Sequence, residues 1–445
     1  MTKPAVDYHA LHTRYVLTPW SAQAGLNPPV IIRGEGRFLY DIEGKRYLDL
    51  TAGLVAVNLG HGHPKVVQAI KAQAERLCYV PPSFFNDKRA ELAETLIKMA
   101  PWPDGGRVFF TTGGAEANED AIKMARLITG RPKVLVAYRS YHGSTFGAGT
   151  LTGDDRRFAV EPGIPGVIHF FAPYPYRSPF FTSDPSEETR RALDHVEEVL
   201  RLEGPEHVAA LILEPVVGTN GVIIYPDGYL EGLRRITEQY QIMLIFDEVM
   251  TGFGRTGAAF AAHRFGVTPD MITFAKGVTS GYVPLGGVLV REAFARHFDR
   301  NVLWCGHTYS GHPLAVAIGL AVQEVYQEEN LFARAREIEG WLRPPLEELS
   351  RRHKVVGEVR GIGAFFALEL VRDQASRVPL ASRYVGDPAL MRDFHAALLR
   401  RGVYAFGRHN ILLVAPPLTI TREEIDLGME ALDAALGELV LKIAA

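Results

Sequence analysis

The chain has 445 residues, 47% of them apolar and 22% charged, with a net charge of −3. That length fills two or three cores of ordinary size, and so small a net charge gives no electrostatic basis for nucleic-acid binding. Its two cysteines, Cys78 and Cys305, cannot build a disulfide framework and predict a reducing, cytoplasmic setting.

From the N-terminus, "MTKPAVDYHALHTRYVLTPW" lacks the apolar core of a secretory signal, and no apolar run along the chain is long enough for a bilayer. Residues 30–50 read as a hairpin turning at Glu43-Gly44. Six strands are then predicted: 107–110, 133–138, 208–214, 242–248, 271–275 and 286–290. Amphipathic stretches such as "GYLEGLRRITEQY" lie between most of them, the signature of a mostly parallel sheet covered on both faces. After about residue 320 come a long helix, the hairpin-like "VVGEVRGIGAFFALEL", and a helix–strand–helix ending. The expected organisation is a large α/β domain over 61–320 and a smaller α+β domain from both termini, 1–60 and 321–445. His61 and His63 in "GHGHP" have no matching ligand cluster, so a turn is expected there and no metal.

Ligands of open α/β sheets sit outside the carboxyl ends of the strands. Those ends carry, in order, "TTGGAEANEDAIKMAR", "RSYHG", Glu214, Asp247-Glu248, and Lys276. The first places glycines ahead of a helix whose one face is Ala117, Ala121, Met124 and Ala125; free backbone N–H groups at such a helix start suit a phosphate. Glu116 suits the first turn of that helix in any case. Apart from Lys276 itself, no charge lies between Asp270 and Arg291, and a desolvated lysine is a candidate for Schiff-base chemistry. Asp247 ends a buried strand and needs a partner, either an arginine such as Arg255 or a cationic ring nitrogen. Tyr141 is a packing residue or a stacking platform, with His142 beside it. A phosphate site, a ring platform, an acid and a lysine together describe pyridoxal 5′-phosphate (PLP).

The stretch "LIFDEVMTGFGRTG" spells G-x-G-x-x-G at Gly252–Gly257. A dinucleotide fingerprint would place its first glycine directly after the strand and at the start of a helix. Here Asp247, Glu248 and "VMT" intervene, so the glycines are expected to turn the backbone sharply beneath the cofactor instead.

With Lys276 following Asp247 along the chain, these residues resemble the class III aminotransferases, of the fold type I PLP-dependent enzymes. "GHGHPKV", "TTGGAEANEDAIKMAR", "YHGST", "EPVVGTNG", "HTYSGHP" and "VAPPLTIT" extend the likeness over nearly the whole chain. The resemblance implies that Lys276 carries the cofactor and shuttles the proton, while Asp247 keeps the ring nitrogen protonated. It implies Tyr141 and Val249 on the two ring faces, Gly114 and Ala115 on the phosphate, and His142 and Glu214 among the cofactor contacts. Thr308 would reach the phosphate of a neighbouring subunit, making the family an obligate dimer, with a tetramer also open.

Two departures bear on substrate. The ornithine and acetylornithine branch reads E-P-x-Q-G-E where this chain has "EPVVGTNG", and it carries an arginine where Leu413 stands. Ornithine-type substrates are therefore disfavoured. Arg408 is either a surface residue or a clamp for a carboxylate or sulfonate. "YVLTPWSAQ", "GTNG" and the F-x-R-x-N spacing are most similar to the ω-amino acid and taurine–pyruvate branch. Trp20, Leu54, Val55, Phe84 and Phe85 would line the substrate pocket. The expected activity is transfer of an amino group from taurine, β-alanine or a similar amine to a keto acid such as pyruvate. An aminomutase, racemase or decarboxylase on the same scaffold is the alternative.

Overall fold

A computed structural model describes residues 6–444; the first five residues and Ala445, which the expected domain boundaries include, lie outside it. Seven strands form the central sheet: β1 Gly106–Thr111, β2 Lys133–Ala137, β3 Val167–Phe170, β4 Val208–Leu213, β5 Met243–Asp247, β6 Met271–Phe274 and β7 Gly286–Arg291. Their spatial order is β1-β7-β6-β5-β4-β2-β3. The run from β3 to β6 is parallel, and β7 alone is reversed, pairing antiparallel with β6 and β1. All six predicted strands form. The sequence reading missed β3, whose four residues "VIHF" place a histidine inside a short apolar run.

β4 and β5 are buried at every position, as a strand covered on both faces must be. Helices supply that cover. The helix Gly114–Thr129 buries Ala117, Ala121, Met124 and Ala125, the face read from the sequence. The helix Tyr229–Gln239 buries Leu230, Leu233 and Ile236 at three-residue spacing.

Outside the sheet, Ile31–Glu35, Phe38–Asp41 and Arg46–Asp49 form an antiparallel meander, with the Glu43-Gly44 turn between the last two. Val403–Tyr404 pairs in parallel with Arg46–Asp49, so strands from opposite ends of the chain share one sheet. The predicted second hairpin is Val356–Ile362 with Phe365–Leu370; it extends through Ile411–Val414 to the two-residue edge strand Gly407–Arg408. The long helix expected after residue 320 is two helices, Pro313–Glu328 and Leu331–Arg352. No helix among the described residues is long and apolar enough to cross a membrane.

The GFGRTG stretch opens no helix. Phe253, Gly254 and Gly257 all have positive φ, and amides of Phe253 and Gly254 donate to Ala259 and Ala258 carbonyls in a tight return. A Cβ on Gly254 would sit 2.6 Å from Phe332 Cδ1, so this glycine answers both to φ and to close packing.

Candidate active site

The parallel register brings the carboxyl ends of β1, β2, β4, β5 and β6 to one edge of the sheet. Asp247 is the last residue of β5, and Lys276 lies two residues beyond β6. The buried Asp247 carboxylate is held on one side: Oδ2 accepts from Asn118 Nδ2 and pairs with His142 Nδ1, each at 2.7 Å. Oδ1 accepts only the Val249 amide, at 3.0 Å, and keeps a lone pair for a further donor. Arg255, one partner considered for this acid, is elsewhere. Its buried guanidinium donates to the carbonyls of Ala364 and Pro416 and to Asn58 Oδ1.

Asn118 is the residue the sequence reading passed over. It donates to the His142 carbonyl as well as to Asp247, and accepts from Thr273 Oγ1 on β6 at 2.7 Å. Its signal was present: an asparagine one turn into a helix, on the same side as the alanines, is a polar side chain forced into the core and must find partners.

Lys276 is partly exposed and takes φ 44°, a strained backbone for a residue with a side chain. Burial pushes its amine down to about 8, against the opposing pull of Asp247 and Glu214. Glu214 itself is buried, and desolvation, then the nearby Asp247 charge, push its carboxyl up. It accepts the Tyr141 and Gly218 amides, each at 2.9 Å, and so fixes where Tyr141 starts.

The Tyr141 ring is backed by a cation: Arg156 lies 3.6 Å from its centroid. Arg156 is clamped by both oxygens of Asp154 and donates to Thr219 Oγ1 at 2.8 Å. Thr219 is the position where the ornithine branch has its second glutamate, and here it serves Arg156. Trp20 meets Tyr141 edge-on, with centroids 6.2 Å apart.

At the start of helix Gly114–Thr129 no side chain caps the first-turn amides. Glu116 instead accepts the Thr112 amide and hydroxyl, each at 2.8 Å, and ties down the preceding turn. A Cβ on Gly114 would lie 2.8 Å from Val249 Cγ2, and one on Gly143 would lie 2.5 Å from Ala115 Cβ. Val249, Gly114, Ala115 and the loop after His142 therefore crowd one spot. An open amide cluster, an acid with a spare acceptor site and an amine of lowered basicity fit the phosphate, the ring nitrogen and the aldehyde of PLP.

The remaining expected residues are spread more widely. Leu54, Phe84 and Phe85 are exposed, as is Trp20, and Thr308 is exposed on a stretch whose carbonyl accepts the Tyr79 hydroxyl. Val55 is enclosed, in one apolar cluster with Leu413, Val216 and Met250, and has φ 58°. Arg408 joins the Tyr141 surroundings through Asn220, which accepts from it at 3.0 Å and donates to Asp154 at 2.9 Å.

Comparison with known proteins places this site in context. The family model "Aminotransferase class-III" matches residues 21–436. The taurine:2-oxoglutarate aminotransferase of Bifidobacterium kashiwanohense, solved with PLP and glutamate, superposes with a TM-score of 0.93 at 45% identity, covering 96% of each chain. An (S)-enantioselective ω-transaminase of Thermomicrobium roseum gives 0.91 at 40% identity over 97% of each. The putrescine–pyruvate aminotransferase of Pseudomonas aeruginosa is 35% identical over 94% of this chain and 93% of its own.

Proposed function

Because this chain belongs to the class III aminotransferases, which are PLP enzymes, we propose that it moves the amino group of an ω-amino acid or primary amine, such as taurine or β-alanine, to a keto acid such as pyruvate. The reaction would run as two half-reactions in ping-pong order. When bound, PLP supplies the aldehyde that takes up the amine and the ring that accepts electron density.

Each residue then has a task at a stated atom. Lys276 Nζ would hold the coenzyme through its aldehyde and, as a free amine, would serve as the acid–base group that carries the proton in the transfer. An amine with its pKa near 8 is suited to both parts, because it deprotonates close to working pH. Asp247 Oδ1 holds the proton on the ring nitrogen, and His142 and Asn118 hold Asp247. Tyr141 and Val249 would pack against the ring, and Glu214 sets Tyr141 through its amide. The amides of Gly114 and Ala115 would receive the phosphate, joined by Thr308 from a second copy in a homodimer or a larger assembly. A partner there would cover the exposed Phe84 and Phe85 and exclude water. The division into 61–320 and a lobe of 1–60 with 321–445 belongs to the same proposal, supported by the sheet that Arg46–Asp49 and Val403–Tyr404 share.

The observation that carries the reading is the pairing of Lys276, with its basicity lowered, and Asp247, with one oxygen left to accept. For substrate, Leu413 is buried in an apolar cluster, so a carboxylate-switching arginine has no counterpart there, and Arg408 is the cation left to receive an anionic end. The test mixes the purified holoenzyme with taurine, β-alanine, γ-aminobutyrate, ornithine and 1-phenylethylamine in turn and follows loss of the coenzyme's yellow colour. Fastest bleaching by ornithine would overturn the branch; borohydride fixing the coenzyme anywhere but Lys276 would overturn the site.

A further inference from the structure

Residues 302–309 lead into the helix Pro313–Glu328 without a ladder to hold them. Among the described residues, no backbone carbonyl accepts an amide of 302–309. Their side chains alternate nonetheless. Leu303, Cys305 and His307 are half-buried, while Val302, Trp304 and Thr308 are exposed. Leu303 and Cys305 pack against the apolar cluster that contains Ala121 and Ala125. Such contacts settle which side faces inward, but a slide of two residues would keep the alternation. His307 marks one register. Its Nε2 lies 2.5 Å from Oδ2 of Asp120, a carboxylate only 2% exposed, and its ring lies 6.0 Å from that of Phe109. The other Asp120 oxygen faces Lys123 at 3.6 Å. The remaining ties here are neutral: the Tyr79 hydroxyl donates to the Thr308 carbonyl at 3.0 Å, and the Ser310 hydroxyl to the Phe110 carbonyl at 2.7 Å.

We propose that Asp120 and His307 are positioning residues for the coenzyme of the neighbouring subunit: their pair fixes the register of 302–309 and so aims Thr308 outward, at the partner's phosphate. This rests on the reading of Thr308 as a phosphate contact across the subunit boundary. Asp120 belongs to the helix whose first amides, those of Gly114 and Ala115, would receive the phosphate of its own site. One helix thus serves two sites, its own through its N-terminus and the neighbour's through His307. A buried carboxylate deprived of its partner is strongly disfavoured, so the stretch stays pinned where apolar packing alone would let it slide.

The test measures the dissociation constant of PLP by equilibrium dialysis of the assembled holoenzyme, with light scattering to confirm that the assembly is intact. His307→Asn, too short to reach Asp120, is expected to raise that constant about tenfold, the worth of one hydrogen bond to a charged phosphate. Thr308→Val should do the same. His307→Gln, whose side-chain amide can reach Asp120, should restore the parent value. The pair acts through Thr308, so His307→Asn combined with Thr308→Val should be no worse than Thr308→Val alone. A further loss of the same size in the double variant would mean that the pair supports the fold or the helix start and not Thr308, and would overturn the proposal. A His307→Asn holoenzyme that retains PLP like the parent overturns it too. If Thr308→Val has no effect, the phosphate reading of Thr308 falls and takes the proposal with it. Should His307→Asn fail to assemble, Asp120→Asn runs the same cycle with a smaller expected loss of about threefold, since it removes one charge of the pair and keeps its shape.

Discussion

Replacing Lys276 by methionine should make the coenzyme-free protein more stable. The ammonium is disfavoured in the fold: burial draws it from the ordinary 10.5 to about 8, after the favourable pull of Asp247 and Glu214 is included. That gap corresponds to about 3 kcal/mol at pH 7, trimmed to about 2 kcal/mol because the partly exposed side chain keeps some water. Methionine keeps the length and discards the charge. The folded lysine binds its proton less tightly than the unfolded one, so the unfolded chain holds more protons between pH 8 and 10.5. Stability of the parent therefore rises across that window, and the advantage of Lys276→Met shrinks to nothing by its top. For 445 residues, about one degree of melting temperature accompanies each kcal/mol, so the variant should melt about two degrees higher at pH 7. Scanning calorimetry of both coenzyme-free proteins from pH 7 to 10.5 makes the measurement. A variant that melts lower at pH 7, or an advantage that does not decline with pH, would refute the reasoning.

Asn118→Leu strands the His142 carbonyl, the Thr273 hydroxyl and one side of Asp247; a loss of about 3 kcal/mol is expected, read by denaturant unfolding together with weaker coenzyme retention on dialysis. Gly114→Ala drives a methyl against Val249 Cγ2 at 2.8 Å. Overpacking of about 1–3 kcal/mol should raise the coenzyme dissociation constant roughly tenfold, with activity recovered by excess PLP, whereas activity that stays low at saturation would mean the crowding acts on chemistry instead.

The sequence carried most of the frame. Buried strands such as β4 and β5 are unbroken apolar runs, and the residue that closes each run can be read directly, which is why Glu214, Asp247 and Lys276 stood out together. β3 escaped because four residues with an internal histidine give too short a period to detect. The supporting polar contacts escaped for another reason. Asn118 meets Asp247 across 129 positions and Arg408 meets Asp155 across 253, pairings that no local pattern encodes. Arg156 is one charge in a run of four, "DDRR", yet folding brings it over the Tyr141 ring. Of the two partners weighed for Asp247, the arginine eight residues away in sequence turns its back, and a histidine 105 residues away, which the sequence reading did not name as a partner, holds one carboxylate oxygen.

The arginine of the GFGRTG turn joins parts of the chain that are far apart in sequence. Its guanidinium is gripped by oxygens from a loop near residue 58, from the tip of the second hairpin and from the proline pair before the last helix. All three are neutral. Added salt has no counter-ion to compete for at this junction, so it should outlast the surface ion pairs as ionic strength climbs. Like a rivet through three plates, Arg255 holds the roots of the outer pieces, which cannot part from it without breaking bonds buried from water.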